Sequence, residues 1–277
     1  GAQRRSEPSL AGRSARKVGQ EDEEVLVIEI LQRRWHRLWQ KLPPDRGPLG
    51  PVTMLEDDPS VRALRTTAPT LEAILRESIL PFWEEKALDF QHGGYLLNHD
   101  QDGEWKGHAD KFCIPQARVV WFFSRAFRAG FFPEGIRAAS HGVDFLREFL
   151  WDRDQGGFFW SVSHDGSSVT DSSKRLYANS FALYGLAEYA RASQEAGALE
   201  YTHEVADLFR GPFHDPVHGG YLSELNRSLQ PVPIDGPRGG TVRHKTVNEH
   251  LHVLEALEAC AHLRSETWVR DHLNHLI

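Results

Sequence analysis

The chain has 277 residues, with 32 basic and 39 acidic side chains for a formal charge of −7, and 40% of it is hydrophobic. That length fits one large domain or two ordinary ones, with enough apolar material for a substantial core. An acidic body argues against nucleic acid as the main partner, no apolar stretch approaches the ~18 residues of a membrane span, and no basic segment followed by an apolar one marks a secretory signal.

The chain opens on Gly1 rather than Met, as a fragment or processed product would. Residues 1–20 carry Arg4, Arg5, Arg13, Arg16 and Lys17 against Glu7, among Ser and Gly. Such a segment cannot bury a core and predicts a disordered basic tail, with a transit-like or nucleic-acid-binding arm as the alternative. "EDEEVLVIEILQRRWHRLWQKLPP" (21–44) predicts an extra amphipathic helix ended by Pro43-Pro44, so 21–68 reads as that helix and a linker. The main domain is expected over 69–277, its first outer helix at 69–86.

Within that domain a segment recurs. "HGGYLLNHDQDG" begins at His92, "QGGFFWSVSHDG" at Gln155 and "HGGYLSELNRS" at His218, so the first glycines, Gly93, Gly156 and Gly219, are 63 residues apart both times. Equal spacing predicts equal structural units, stacked or in a ring. In each copy the Gly-Gly pair permits a tight turn, the following aromatic starts a short alternating stretch, and Asp-Gly or Asn-Arg closes a small hairpin. Two helical patterns separate the copies. The first is apolar nearly all round: "ARVVWFFSRAF" (117–127), "NSFALYGLAEYA" (179–190) and "EHLHVLEALEACA" (249–261). The second is amphipathic, as in 133–151 and 200–210, and residues 266–277 start another. A helix apolar on every side must be enclosed, whereas an amphipathic one can face water. Alternation of the two predicts an all-α fold, an (α/α)6 toroid with short β-hairpins at the end where inner helices begin. The chain supplies about three and a half helix pairs. A ring of six at this period needs roughly 380 residues, so it is expected to stop before closure.

Polar residues crowd the starts of the inner helices: Asp110, Lys111, Gln116 and Arg118, then Lys174, Arg175, Tyr177, Asn179 and Ser180, then His244, Lys245, Asn248, His250, His252 and Glu255. That asymmetry predicts a pocket at one end of the ring and packed core at the other. His252 and Glu255 are three apart on one helical face, where a carboxylate can fix the imidazole tautomer and raise its basicity. Such a pair suits general acid–base chemistry near neutral pH. His250 is about 200° away around the helix and points elsewhere, either as a polar core residue or as a supporting pocket residue. The H-x-H spacing does not chelate from a helix, where i,i+4 is the useful separation, so no metal is expected there. There is no GxSxG, and Cys113 has no evident catalytic partner. Cys113 and Cys260 form neither a disulfide framework nor a CxxC pair, which predicts a reducing, cytoplasmic setting. A glycosidase-type carboxylate pair has chiefly Asp110 and Glu255 to draw on.

The blocks "FWEEKALDFQHGGYLLNHDQDG", "DKFCIPQARVVWFFSRAF", "RLYANSFALYGLAEYARAS" and "KTVNEHLHVLEAL" resemble, in order and spacing, the N-acylglucosamine 2-epimerase superfamily over about residues 69–277. The last block is most similar to its cellobiose 2-epimerase branch. The resemblance implies an (α/α)6 barrel and sugar chemistry without a cofactor. A histidine removes the C2 proton of an open-chain reducing sugar, a cis-enediolate forms, and another histidine returns the proton on the opposite face. It implies His252 as one acid/base with Glu255 as partner, Arg118 as the cation stabilising the enediolate oxygens, and Tyr177, Asn179, Asn248 and His250 as sugar-pocket residues. Cys113-Ile114-Pro115 departs from the family's aromatic-rich approach to the Q-x-R element. The family's second catalytic histidine and its stacking tryptophans belong to later repeats than those present. A chain complete as it stands is therefore expected to be weak or inactive as an epimerase. The resulting expectation is a sugar 2-epimerase of cellobiose or glucose–mannose type, with a homodimer as a possible assembly. The alternatives are an N-acylglucosamine 2-epimerase, an aldose–ketose isomerase, an (α/α)6 glycoside hydrolase or a non-catalytic sugar-binding protein.

Overall fold

The structure is a computed structural model that describes residues 59–232, 234–235, 241–242, 245–263 and 267–276. The expectations for residues 1–20 and 21–44 lie outside the described residues. The chain divides into two units, Gly1–Arg65 and Thr66–Ile277, and every repeat lies in the second.

Helix α1 (Pro59–Ile74) passes through a π-helical turn at Leu75–Ile79 into α2 (Leu80–Lys86). The expected start at residue 69 is thus corrected: the helix already runs from Pro59, and Pro69 lies inside it. Three helix pairs follow. The first members are α3 (Cys113–Arg128), α5 (Leu176–Ser193) and α7 (Val247–Ala261). The second members are α4 (Gly135–Phe145, ending in a π-turn at Leu146–Leu150), α6 (Ala196–Arg210) and α8 (Thr267–Leu276). Helix α5 packs between α3 and α7, while α4, α6 and α8 each lie against the preceding member of their own pair. The described residues therefore hold an inner row and an outer row, three pairs preceded by one outer helix, as the period predicts for an (α/α)6-type fold. Among the described residues, no helix is long and apolar enough to cross a membrane.

The inner row is close-packed because its sequence is small where helices meet. A Cβ added at Gly185 of α5 would lie 2.6 Å from the Ala117 carbonyl oxygen of α3, so the two backbones touch there. Fourteen of the eighteen α5 residues are buried, which matches its all-round apolar sequence. Helix α7 does not match so well. Its Val247 and Leu251 are 52% and 54% exposed. Among the described residues no inner helix covers the flank of α7 away from α5, so its apolar sequence exceeds the enclosure it receives. Thr246 starts α7 with a capping box: its Oγ1 accepts the Glu249 N–H and donates to Glu249 Oε2.

The hairpins repeat as faithfully as the helices. Single bridges Leu88–Tyr95, Trp151–Phe158 and His214–Tyr221 close each Gly-Gly turn at the same 63-residue interval. Both glycines of every pair have φ between 67° and 79°, the left-handed region a Cβ disfavours. Short strands tie successive copies together. Strand β1 (Lys111–Phe112) pairs antiparallel with β2 (Ser161–Val162), which pairs with β3 (Val169–Asp171). Strand β4 (Lys174–Arg175) pairs with β5 (Glu224–Leu225), and β6 (Ile234–Asp235) with β7 (Thr241–Val242). The aromatic after each glycine pair, Tyr95, Phe158 or Tyr221, is fully buried. Tyr95 donates its hydroxyl hydrogen to the Ala138 carbonyl of α4, and the Tyr221 hydroxyl meets His272 Nδ1 of α8 at 2.6 Å.

Candidate active site

Much of the polar chemistry at the inner-helix starts holds the fold together. In the first repeat Lys111 Nζ donates to Asp89 Oδ2 (2.7 Å) and to the Gly93 carbonyl (2.6 Å), and all of these groups are at least partly buried. Gln116 then completes the turn: its Oε1 accepts the Tyr95 N–H (2.8 Å) and its Nε2 donates to the Tyr95 carbonyl (2.9 Å). The second repeat uses Lys174 on Asp152 Oδ2 (3.1 Å) and on the Gly157 carbonyl (2.9 Å). There Asn179 Oδ1 accepts the Phe158 N–H (2.9 Å). The third uses Lys245 on Asp215 (2.8 Å) and on the Gly219 carbonyl, and His250 Nε2 accepts the Tyr221 N–H (2.9 Å). Each repeat thus carries a latch: an Asp, a Lys and a side-chain acceptor that together satisfy the Gly-Gly turn.

Two expected sugar-pocket residues are engaged in bonds within the fold. Asn179 is fully buried, and its amide nitrogen is spent on the Arg175 carbonyl (2.9 Å). His250 is engaged at both ring nitrogens, since Nδ1 meets the Thr246 carbonyl at 2.6 Å. That carbonyl can only accept, so Nδ1 carries the proton and Nε2 is the acceptor for Tyr221. Both residues are the counterparts of Gln116, and a Cβ on Gly94 or Gly220 would lie 2.7 Å from Gln116 Oε1 or His250 Nε2 respectively. The aspartates of the latch were missed in the sequence, although the pattern D-x-x-x-G-G at Asp89, Asp152 and Asp215 has the same period as the glycines.

The latches are charged but buried, and their titration follows. Burial works against ionised Asp152, but hydrogen bonds from Arg227 and Lys174 outweigh it and hold the carboxyl at about 2. Burial pulls Lys174 down to about 8 against the opposing pull of Asp152. Arg227 reaches Asp152 from the third hairpin with two bonds of 2.9 and 3.2 Å and also meets Asp154 at 2.9 Å.

Three of the other expected site residues do come together. His252, Glu255 and Arg118 line one cleft of about 400 Å³ with Trp121, Phe122, Phe181 and Tyr184. The Nδ1 of His252 lies 2.9 Å from Glu255 Oε2. A carboxylate accepts there, which places the proton on Nδ1 and leaves Nε2 with its lone pair free for a base's work. The His252 ring stands edge-on to Tyr177 (4.9 Å between centroids) and 4.6 Å from Phe181, and the Arg118 guanidinium lies 4.6 Å over that same Phe181 ring. Phe181 therefore sets the spacing between base and cation. Trp121 and Tyr184 stack at 5.5 Å and 16° as an aromatic wall. Asn248 is exposed on the first turn of α7. Asp110 lines a separate cleft of about 280 Å³, so it does not face Glu255 across a common space. An imidazole with a carboxylate beside it and an exposed guanidinium over an apolar floor could together support carbon–hydrogen bond cleavage beside a carbonyl.

Comparison with known proteins bears on the family to which the chain belongs. Residues 94–276 match the family model for N-acylglucosamine 2-epimerase (GlcNAc 2-epimerase). A cellobiose 2-epimerase of Eubacterium cellulosolvens is 32% identical over 189 residues, 68% of this chain and 46% of that protein. One from Dictyoglomus turgidum is 33% identical over 183 residues, 66% of this chain and 46% of that protein. The solved structure of cellobiose 2-epimerase from Spirochaeta thermophila superposes with a TM-score of 0.71 at 36% identity, covering 78% of this chain and 53% of that one. The chain spans about half the length of the relatives it matches.

Proposed function

Because the chain belongs to the N-acylglucosamine 2-epimerase family, we propose that its cleft carries the proton-abstraction half of a sugar 2-epimerase, acting on the open-chain form of a reducing-end hexose. His252 Nε2 takes the C2 proton. The electron pair of that C–H bond flows into the C1 carbonyl and gives a cis-enediolate. Arg118, whose guanidinium lies over the Phe181 ring, neutralises the developing oxyanion. Glu255 holds the imidazole in the required tautomer and stabilises the imidazolium that forms. Return of a proton to the opposite face of C2 inverts the centre, whereas return at C1 yields a ketose. The observation that carries the reading is the His252–Glu255 pair at 2.9 Å in one cleft with Arg118. The similar proteins named as cellobiose 2-epimerases make a glucose-configured reducing end, as in cellobiose, the preferred substrate.

The test is solvent exchange. With cellobiose, mannose or N-acetylmannosamine in D2O, NMR should detect deuterium entering C2. The rate should fall about 10²- to 10⁴-fold in His252→Ala, the usual worth of a positioned general base. Release of a reducing end without C2 exchange would replace the proposal with hydrolysis. Sugar binding with neither outcome would leave a non-catalytic binding protein.

A further inference from the structure

Away from this cleft, three histidines from different parts of the chain converge. His92 belongs to the first Gly-Gly turn, His108 to the loop before β1, and His164 to the β2–β3 hairpin of the second repeat. One ring nitrogen of each lies within 4.8 Å of the others, and His108 and His164 are 4.2 Å apart between ring centroids. We infer that His92, His108 and His164 form a binding site for a transition-metal ion of the zinc class, which bridges the first and second repeats. This inference is independent of the sugar chemistry proposed above.

Three observations carry it. The first is the donor set: three imidazoles with no thiolate suit Zn²⁺, Cu²⁺ or Ni²⁺ and are poorly matched to Ca²⁺ or Mg²⁺, which want oxygen. The second is His92 itself. Its Nδ1 is buried without a hydrogen-bond partner, 3.6 Å from Asp89 Oδ2. A carboxylate on the Nδ1 side is near enough to become, after a small shift, the outer-shell partner that metal-bound histidines generally have, with Nε2 then the ligand atom. The third is the alternative employment of the rings. Histidines gathered only to pack would be expected in the core, yet His108 is exposed and His92 and His164 only half-buried. In a tetrahedral zinc site ligand nitrogens at ~2.1 Å from the metal stand about 3.4 Å apart. The ligand nitrogens thus need to close by up to about 1.4 Å, a movement open to His108 on its exposed loop. Three protein ligands leave the fourth position for water or a small ligand, and His108 and His164 both line the 280 Å³ cleft beside it. At the corresponding position of the third repeat His218 also pairs with its aspartate, at 3.4 Å, but the second repeat has Gln155 there. The site is therefore specific to the junction of repeats one and two.

The full chain, stripped with a chelator and dialysed, is titrated with ZnCl₂ by calorimetry, and its thermal midpoint is followed with and without metal. One Zn²⁺ per chain is expected, with a rise in midpoint. His108→Ala and His164→Ala should each weaken binding at least about tenfold and remove the thermal effect. His262→Ala, on an exposed histidine outside the cluster, should do neither. Both test positions are on surface loops, so neither depends on a variant that fails to fold. Failure of the wild-type chain to bind at about 1 mM free Zn²⁺, a weakness of only ~4 kcal/mol, overturns the proposal. Binding that survives in the His108→Ala/His164→Ala double variant overturns it equally.

Discussion

His250 and His252 stand two residues apart on one helix and do unrelated work. The reason is rotation: two helical residues are separated by about 200°, so when His252 faces the cleft His250 must face the third hairpin. His250 fills the place that Gln116 and Asn179 fill in the other repeats, which yields a sharp expectation. His250→Ala should cost about 1–3 kcal/mol by stranding the Tyr221 N–H, measured by urea unfolding. His250→Gln, which installs the acceptor of the first repeat, should recover most of that loss and leave C2 exchange intact. Equal instability in the two variants would show that the ring, and not its acceptor nitrogen, matters there. Glu255→Gln should instead leave stability nearly unchanged, since Glu255 is 55% exposed, and slow exchange about tenfold or more. The contact between His252 and Glu255 was legible because i,i+3 spacing on a helix is a geometric statement about side chains. The pocket roles given to Asn179 and His250 were not secure, because a polar residue at the start of an apolar helix looks the same whether it faces a ligand or a backbone N–H.

At the scale of elements, the latch explains why the hairpins are so alike. A buried aspartate with one lysine would be a costly ion pair, but here the lysine also holds a glycine carbonyl and the aspartate takes turn N–H groups, so few buried polar atoms go unanswered. Asp152→Ala, which leaves Lys174 buried without its counter-ion, should destabilise by about 3–5 kcal/mol in urea. The double change Asp152→Asn/Lys174→Met should cost clearly less than the sum of its parts. Additive losses would mean that the two side chains act separately. Helix positions and the inner–outer alternation were readable from hydrophobic periodicity together with the 63-residue period. The latch was not, because its lysine and acceptor in the third repeat arrive eight residues late, after the β6–β7 insertion, and a fixed-period reading passes over them.

Across the whole molecule, three latches make the fold acid-sensitive in a defined window. Asp89, Asp152 and Asp215 all ionise more readily in the folded chain than their ordinary value of 3.8: Asp89 and Asp152 against the burden of burial, Asp215 chiefly through Lys245. The folded state thus binds fewer protons, so this contribution is complete above about pH 4 and is lost as pH falls toward 2. Circular dichroism should record unfolding across that interval, and Asp152→Asn should reduce the steepness of the transition. Retention of full stability at pH 2 would argue that the carboxylates are not what holds the turns. The latch also governs the order in which the chain can assemble. Its turn-to-helix bond closes over 21 residues in each of the first two repeats and 29 in the third. Loop-closure entropy separates those lengths by only about 0.3 kcal/mol. Every repeat can therefore lock its own hairpin onto its own inner helix from contacts close in sequence, before any neighbour is in place. Each segment can thus be committed by its own short-range contacts, which leaves the docking of neighbour on neighbour as the non-local step.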